Sequence, residues 1–314
     1  MTQPDLNLWP IGNCQVSALI DCKGRFVWGC VPRVDGDPAF SSLMQGEEAY
    51  GPSTHGYWSI ELEDCVSVRQ EYRRNTPILV QRHTDANGAE IEIIDFCPRQ
   101  RRLGRMYRPV AFVRIVRPIS GSPRIRVRLR PSRDYGQSEA PRTFGSNHIR
   151  YGLSPQSMRL TTNAPVSLVA EEMPFRLEAA VHFFLGPDEP FSEAVGSALE
   201  SMLAETTAEW QLWVRGLATP IEWQEAVIRA AITLKLCQHE ETGAIVAALT
   251  TSIPEAPNSG RNWDYRFCWI RDAYYTVQAL NRLGALDVLE GYLGYLRNIV
   301  DNAKGGNKIG RAHV

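Results

Sequence analysis

The segment PDEPFSEAVGSALESML, residues 187–203, marks the point where the sequence changes from strand-like to helix-like spacing. Its two prolines end the preceding apolar run, because proline fits neither a central strand nor the interior of a helix. Beyond them, apolar residues recur every three or four positions, at Val195, Leu199 and Met202, which is the period of a helix. The segment therefore predicts β structure before it and α structure after it.

Residues 1–190 consist of short apolar or alternating runs between turn signals. The clearest pair of runs flanks Asn87-Gly88, a dipeptide typical of tight hairpin turns. Many short strands without helices between them favour two packed antiparallel sheets. We therefore predict an antiparallel β-sandwich over residues 1–190. Its strand-like runs are residues 16–20, 26–30, 78–83, 91–96, 110–116, 125–129 and 181–185.

The second block is helical throughout, so the chain is predicted to be a multidomain protein of β followed by α. Residues 191–218 predict a linker helix, and residues 219–308 predict the start of a helical domain. The first helix of that domain has a start signal, because Thr219 can cap it and Glu222 completes a capping box three residues later. The other helices of this block are predicted over residues 270–283 and 287–302.

The composition excludes several classes of protein. With 34 basic and 35 acidic residues the formal net charge is −1, so nothing draws the chain to nucleic acid or to an anionic membrane. The N-terminal residues lack the basic and apolar regions of a signal peptide, and no apolar run is long enough to span a bilayer. Seven cysteines without a C-x-x-C pair suit a reducing compartment and predict neither a metal site nor a cofactor. A cytoplasmic protein is expected.

The stretch RNWDYRFCWIRD, residues 261–272, combines large aromatic and charged side chains. Sugar sites need this mixture, because aromatic faces cover the apolar face of a pyranose and charged groups hydrogen-bond its hydroxyls. Arg271 and Asp272 are adjacent and would not face each other on a helix, so a simple ion pair between them explains them poorly. From the residues alone, a buried aromatic packing loop with incidental charges stays open beside a sugar site.

The same stretch, together with Thr242–Ala248 and Thr250–Glu255, resembles the opening of the catalytic barrel in glycoside hydrolase family 15. That family includes glucoamylases, glucodextranases and a bacterial trehalase group. Ile11-Gly12-Asn13 and Pro32-Arg33-Val34-Asp35 resemble the N-terminus of its bacterial members, although the family usually has Phe where Val34 stands.

The resemblance implies a β-sandwich followed by an (α/α)6 barrel, of which this chain holds only the first helices. It implies that Arg271 and Asp272 bind hydroxyls of the non-reducing glucose in the −1 subsite. Trp269 should shape that subsite, and Tyr265 should lie near the anomeric centre. The expected chemistry is hydrolysis with inversion by two glutamates, one acting as general acid and one as general base.

No segment matches either glutamate, so no catalytic residue is named and the chain is expected to be an inactive N-terminal fragment. Glu240, Glu241 and Glu255 precede the motif and are interpreted as solvated loop charges, as is the arginine-rich run at residues 99–108. Residues 309–314 resemble nothing in the family and are interpreted as an artefactual tail. The incomplete barrel is expected to expose apolar helix faces.

The expected activity of the full-length enzyme is glucoamylase-like. It would release glucose from the non-reducing end of an α-glucan or maltooligosaccharide. The alternatives are a trehalase of the same family, with trehalose as substrate, and an inverting phosphorylase, which would need phosphate. An alternative of another class is a non-catalytic carbohydrate-binding protein.

Overall fold

The computed structural model describes residues 6–45, 54–153, 156–250, 260–302 and 311–312. The first part of the chain is β and the second part α, with the change where the sequence predicts it. The strands of the β region are β1 (Trp9–Gly12), β2 (Ser17–Ile20), β3 (Phe26–Val31), β4 (Asp37–Phe40), β5 (Tyr57–Leu62), β6 (Cys65–Tyr72), β7 (Leu79–Asp85), β8 (Glu90–Phe96), β9 (Gln100–Arg102), β10 (Arg105–Tyr107), β11 (Phe112–Ser120), β12 (Arg124–Arg130), β13 (Ser132–Arg133), β14 (Ser138–Glu139), β15 (Arg142–Phe144), β16 (His148–Gly152), β17 (Ser157–Thr162), β18 (Phe175–Arg176) and β19 (Val181–Gly186). The helices are α1 (Val166–Ala170), α2 (Val195–Arg215), α3 (Gln224–Leu236), α4 (Ile270–Arg282) and α5 (Leu286–Asn302).

Two large antiparallel sheets form most of the β region, with the small pairs β9–β10 and β13–β14 beside them, which confirms the antiparallel prediction. One has the order β1-β2-β3-β5-β12-β18, with β4 also paired to β3, and the other has the order β15-β16-β17-β19-β11-β8-β7-β6. The hairpin predicted at Asn87-Gly88 joins β7 to β8, and Gly88 adopts the positive φ of 83° that the turn needs. In β12, apolar residues point inward and arginines outward, as strand alternation requires.

Side chains from both sheets form one hydrophobic core. Phe26 of one sheet meets Phe112 of the other edge to face, with ring centroids 6.1 Å apart. Trp58 and Phe183 make a second such contact across the sheets, at 6.4 Å. Buried aromatic pairs of this geometry contribute beyond their apolar area. These contacts stabilise the packing of the two sheets against each other.

A fully buried ion pair lies inside this core. Arg114 donates to Asp95 at 2.8 Å, and neither side chain is exposed. Arg114 also donates to the carbonyls of Trp58 and Gly24, at 2.9 and 2.7 Å, and its guanidinium lies over the Phe26 ring. Burial raises the pKa of Asp95 although Arg114 opposes the rise. A buried charge is tolerated only when it is paired and hydrogen-bonded in this way.

Replacing Arg114 by methionine should lower the free energy of unfolding by about 3–5 kcal/mol, because it leaves Asp95 buried without its cation. The measurement is urea unfolding of the chain. Arg82→Met is the matched control, since Arg82 lies on β7 of the same sheet, is mostly exposed and stands 3.6 Å from Glu92. It should change the unfolding free energy by less than about 0.5 kcal/mol. Equal losses in the two variants would show that the buried pair has no special role.

The helices after residue 190 agree with the prediction except at the start of α3, whereas the short α1 lies in the block that was predicted to contain only strands. Thr219 does not cap α3; the helix begins at Gln224 after Trp223, which has a φ of 61°. The Thr219 hydroxyl instead accepts from the Gln224 side chain at 3.0 Å. The preceding Ala218 donates its N–H to Leu283 at the end of α4, at 2.8 Å. This hydrogen bond holds the loop before α3 against the end of α4. The tertiary contact and the local start signal at Thr219 therefore disagree, and the helix begins later than the signal predicts.

Helices α3, α4 and α5 share a second hydrophobic cluster with the face of β2 and β3 that is turned away from the main core. Several large apolar side chains of α4 and α5 are nevertheless exposed, which agrees with the expectation of open helix faces. They are Tyr274, Tyr275, Leu286, Leu293 and Val300. Membership of an (α/α)6 barrel stays a prediction. No helix in the described ranges is both long and apolar enough to cross a membrane.

The backbone of the predicted artefactual tail is described only at β21 (Arg311–Ala312). It pairs antiparallel with β20 (Cys268–Trp269), Arg311 opposite Trp269 and Ala312 opposite Cys268. The rest of residues 309–314 lies outside the described residues. The interpretation of this tail as an artefact stays a prediction.

Candidate functional site

The structure brings two of the segments that carry the family resemblance side by side. Ala247 donates its N–H to the carbonyl of Phe267 at 3.2 Å, and Ala248 donates to the carbonyl of Tyr265 at 2.9 Å. These two hydrogen bonds hold the turn at residues 265–267 of the motif against the preceding loop, and the motif then enters α4 at Ile270. The part of the resemblance at residues 251–259 lies outside the described residues.

Arg266 anchors the motif to the β region. It is 4% exposed, and its Nε and Nη2 donate to the carboxylate of Asp264 at 3.1 and 2.8 Å. Nη1 donates to the carbonyl of Gly36 at 2.8 Å and to Sγ of Cys30 at 3.5 Å, and Nη2 donates to the hydroxyl of Tyr135 at 2.6 Å. Burial lowers the pKa of Arg266, but its interactions with Asp264, Cys30 and Tyr135 together outweigh burial and raise that pKa. The sequence contained no signal for the contact with Tyr135.

The indole of Trp269 is held from within the same motif. Its Nε1 donates to the backbone carbonyl of Asp264 at 3.0 Å. The Trp263 ring meets it edge to face with centroids 6.5 Å apart. Trp269 is partly exposed, and these contacts restrict the orientation of its indole.

Arg271 and Asp272 lie in the first turn of α4. The helix dipole favours the carboxylate there and disfavours the guanidinium. In the described part of the chain, neither side chain makes a hydrogen bond or an ion pair, with the other or with any residue, as their adjacency predicts. Arg271 is exposed, and Asp272 and Tyr265 are half-buried. All four predicted sugar-binding residues therefore lie on one continuous segment of eight residues, from Tyr265 to Asp272.

The interpretation of Glu240 as a solvated loop charge is wrong. Its side chain is 15% exposed and accepts from Arg99 through both oxygens, at 2.9 and 3.0 Å. Lys235 donates to it at 2.8 Å, and Arg108 is a further partner. Burial alone would raise the pKa of Glu240, but Arg99, Lys235 and Arg108 outweigh it and lower the pKa to about 2. Arg99 and Arg108 lie 141 and 132 residues from Glu240 in the sequence, so only the fold reveals that they meet it.

This ion cluster joins the β region to the helices. Lys235 also donates to Asp287 of α5 at 2.9 Å, and the backbone N–H of Glu240 donates to the Cys14 carbonyl at 3.1 Å. A carboxylate with so low a pKa does not carry a proton near neutral pH, so Glu240 is unsuited to general acid catalysis. The cluster is therefore structural.

The other residues that the sequence analysis interpreted as solvated loop charges differ in their exposure. Glu241 is exposed, and so are Arg101, Arg102 and Arg105, as expected of solvated charges. Arg99 is buried, which corrects the interpretation of the arginine-rich run. Glu255 lies outside the described residues. Among the residues that the structure describes, no three His, Cys, Asp or Glu side chains come together as a metal site would require.

Two family models match the chain. The model described as "Trehalase-like, N-terminal" covers residues 7–180, which is the β region. The model described as "Glycosyl hydrolases family 15" covers residues 222–306, which includes the motif and α3 to α5.

Curated relatives match across both regions. A protein of Thermoplasma volcanium named trehalase is 30% identical over 290 residues, covering 87% of this chain and 44% of that protein. A trehalase of Mycolicibacterium smegmatis is 27% identical, covering 92% and 46% of the two chains. A protein of Sulfolobus acidocaldarius named trehalase 2 is 23% identical, covering 91% and 48%. The chain thus spans slightly less than half the length of the curated relatives it matches.

Proposed function

The chain belongs to glycoside hydrolase family 15 and has a trehalase-like N-terminal region, and from this premise we propose that its full gene product hydrolyses trehalose to glucose. The comparisons favour this alternative over the glucoamylase-like activity that the sequence put first, because the relatives described above are all named trehalase. The β region is then the family's β-sandwich, and α3 to α5 are the first helices of its (α/α)6 barrel.

The observation that carries the proposal is the pair of unpartnered charges at the start of α4. Arg271 sits where the helix dipole disfavours it, and among the described residues nothing in the protein compensates it. Such local conflicts are expected at functional sites. We assign Arg271 and Asp272 to the hydroxyls of the −1 glucose, since charged groups make the strongest hydrogen bonds.

The aromatic residues of the motif complete this half of the subsite. Trp269, with its indole held by the Asp264 carbonyl, covers the apolar face of the glucose ring. Tyr265 lies near the anomeric carbon, where its electron-rich ring tolerates the positive charge of an oxocarbenium-like transition state.

The chemistry of the proposal is inversion. One glutamic acid protonates the leaving oxygen, and a second glutamate activates water on the opposite face of the sugar. Neither is matched among the described residues, so both are proposed to come from polypeptide that corresponds to the other half of the relatives. This chain alone then binds the −1 glucose but is inactive. We place the gene product in a reducing compartment such as the cytoplasm, because scattered cysteines without a C-x-x-C pair are typical of one.

The test begins with long-read sequencing of the source locus across the codons for Asn302 to Val314, followed by assay of the gene product it encodes. Trehalose should be hydrolysed with a kcat/KM at least about tenfold above that for maltose or maltotriose. Early proton NMR should show one α- and one β-glucose per trehalose cleaved, because inversion acts on only one of the two anomeric carbons.

Other outcomes would replace the proposal. A preference for maltooligosaccharides would restore the glucoamylase-like reading. Glucose 1-phosphate formed only with phosphate would identify a phosphorylase. Trehalose binding without turnover by the full gene product would indicate a carbohydrate-binding protein.

A further inference from the structure

We propose that Tyr135, on a turn of the β region, acts with Arg266 as a positioning residue that sets the orientation of Trp269 in the −1 subsite. The inference rests on the proposed function for its catalytic part. Its geometric part is that a side chain of the β region holds the motif in place. That part rests on the hydrogen bonds of Arg266 with Tyr135 and Asp264.

The turn that carries Tyr135 has an unusual backbone. Asp134 and Tyr135 have φ values of 53° and 57°, so two successive non-glycine residues adopt the left-handed backbone conformation. Side chains disfavour this conformation, and it persists only where the surroundings impose it. Here the Asp37 carboxylate accepts the N–H groups of Asp134 and Tyr135, at 2.9 and 3.4 Å, and His55 contacts the Gly136 carbonyl at 2.8 Å. The turn is therefore held in a shape that presents Tyr135 to Arg266.

Arg266 has no donor left for a substrate. A guanidinium has five N–H groups, and the structure records five donated hydrogen bonds. They go to the Asp264 carboxylate twice, the Gly36 carbonyl, Cys30 and the Tyr135 hydroxyl. Any effect of Arg266 on a sugar must therefore pass through the residues it holds.

Asp264 transmits the restraint to Trp269. Both of its carboxylate oxygens accept from Arg266, and Oδ1 also accepts the backbone N–H of Arg266 at 2.9 Å. Its backbone carbonyl accepts Nε1 of Trp269 at 3.0 Å. A path of direct hydrogen bonds thus runs from Tyr135 through Arg266 and Asp264 to the indole. Losing the first bond should loosen the last, since the Asp264 carbonyl moves with its own residue.

The kinetic test is Tyr135→Phe in the full gene product. It keeps the ring that lies 5.5 Å from the Arg266 guanidinium and removes only the hydroxyl. For trehalose, kcat should fall about tenfold, the loss expected for one hydrogen bond to a charged group. KM should stay within about twofold, because a misplaced Trp269 weakens the transition state more than the ground state.

The matched control is Tyr107→Phe. Tyr107 also lies under an arginine of the β region, with Arg102 5.0 Å from its ring, but on the β9–β10 hairpin. Its kinetics should equal wild type. Arg266→Met should lower kcat more than Tyr135→Phe, and adding Tyr135→Phe to it should change nothing further, because both act along one path. Tyr135→Phe alone decides the question if Arg266→Met does not fold.

The second readout is hydrogen exchange of the peptide spanning residues 260–272, measured on this chain. Tyr135→Phe should speed exchange of the Arg266 amide at least about threefold and Tyr107→Phe should not, because exchange reports local opening. Unchanged exchange would overturn the positioning role, and faster exchange with unchanged kcat would reduce Tyr135 to a structural residue. A wild-type gene product without trehalase activity would refute the proposed function alone, while the exchange result would still decide whether Tyr135 holds the motif.

Discussion

Asp272→Ala in the full gene product should lower kcat/KM for trehalose by at least about a hundredfold. A carboxylate that accepts two sugar hydroxyls contributes roughly 3 kcal/mol or more to transition-state binding, and each 1.4 kcal/mol is about tenfold in rate. Asp272 has no protein partner among the described residues, so its loss should remove substrate contacts without breaking the fold. Arg271→Ala should have an effect of similar size, because it removes the hydrogen bonds that the guanidinium donates to the sugar hydroxyls.

The matched control for these variants is Arg282→Ala. Arg282 is exposed and lies in the last turn of the same helix, so its removal should leave kcat/KM within about twofold. Steady-state kinetics on trehalose, with thermal melting to verify the fold, measure all three variants. Near-wild-type turnover in Asp272→Ala or Arg271→Ala would refute the assignment of the −1 subsite to the start of α4.

Glu240→Ala should lower the free energy of unfolding by about 3–5 kcal/mol, as expected when one partner of a buried ion pair is removed. It would leave Arg99 and Lys235 buried without their common anion, and both side chains are less than a tenth exposed. Glu241→Ala is the control. It removes the neighbouring carboxylate, which is exposed, and should cost less than about 0.5 kcal/mol in urea unfolding. Equal stability of the two variants would contradict the structural role of the ion cluster.

The same residue predicts a dependence of stability on pH. The pKa of Glu240 is about 2 in the folded protein and near 4.3 in an unfolded chain. Because the folded pKa is the lower one, the contribution of Glu240 is fully present above about pH 4.5 and is lost as the pH falls toward 2. In Glu240→Gln, unfolding free energies measured between pH 5 and 2.5 should fall less steeply than in wild type. Parallel pH profiles would show that Glu240 is not held as an anion by its neighbours.

The sequence and the structure agree where a signal is local and repeated. The strand period, the turn at Asn87-Gly88 and the apolar spacing after residue 190 all depend on neighbours within one element or one hairpin. The β and α blocks and the β7–β8 hairpin therefore follow from them. The start signal at Thr219 is equally local, yet it is wrong. Ala218, next to Thr219, is hydrogen-bonded to Leu283, and the sequence around Thr219 carries no information about residue 283.

The candidate site likewise has residues that the sequence identified and residues that only the structure revealed. Tyr265, Trp269, Arg271 and Asp272 were identified from one contiguous motif, because residue type and adjacency suffice to suggest contacts with a sugar. The residues that hold the motif, Tyr135 above all, could not be identified, since about 130 residues separate it from Arg266.

By itself the sequence determined the order of β and α blocks, the position of the motif at the start of a helix and the family to which the chain belongs. The order of the blocks and the position of the motif follow from short-range periodicity, and the family follows from a long, specific string of residues. Only the tertiary structure decided which charges are buried and with which partners. Glu240 resembles its exposed neighbour Glu241 in sequence and differs from it because Arg99, Arg108 and Lys235 converge on it in the fold. A charge leaves water only where opposite charges and hydrogen bonds replace its hydration. For Glu240 that replacement comes in large part from Arg99 and Arg108, which lie 141 and 132 residues away in the sequence.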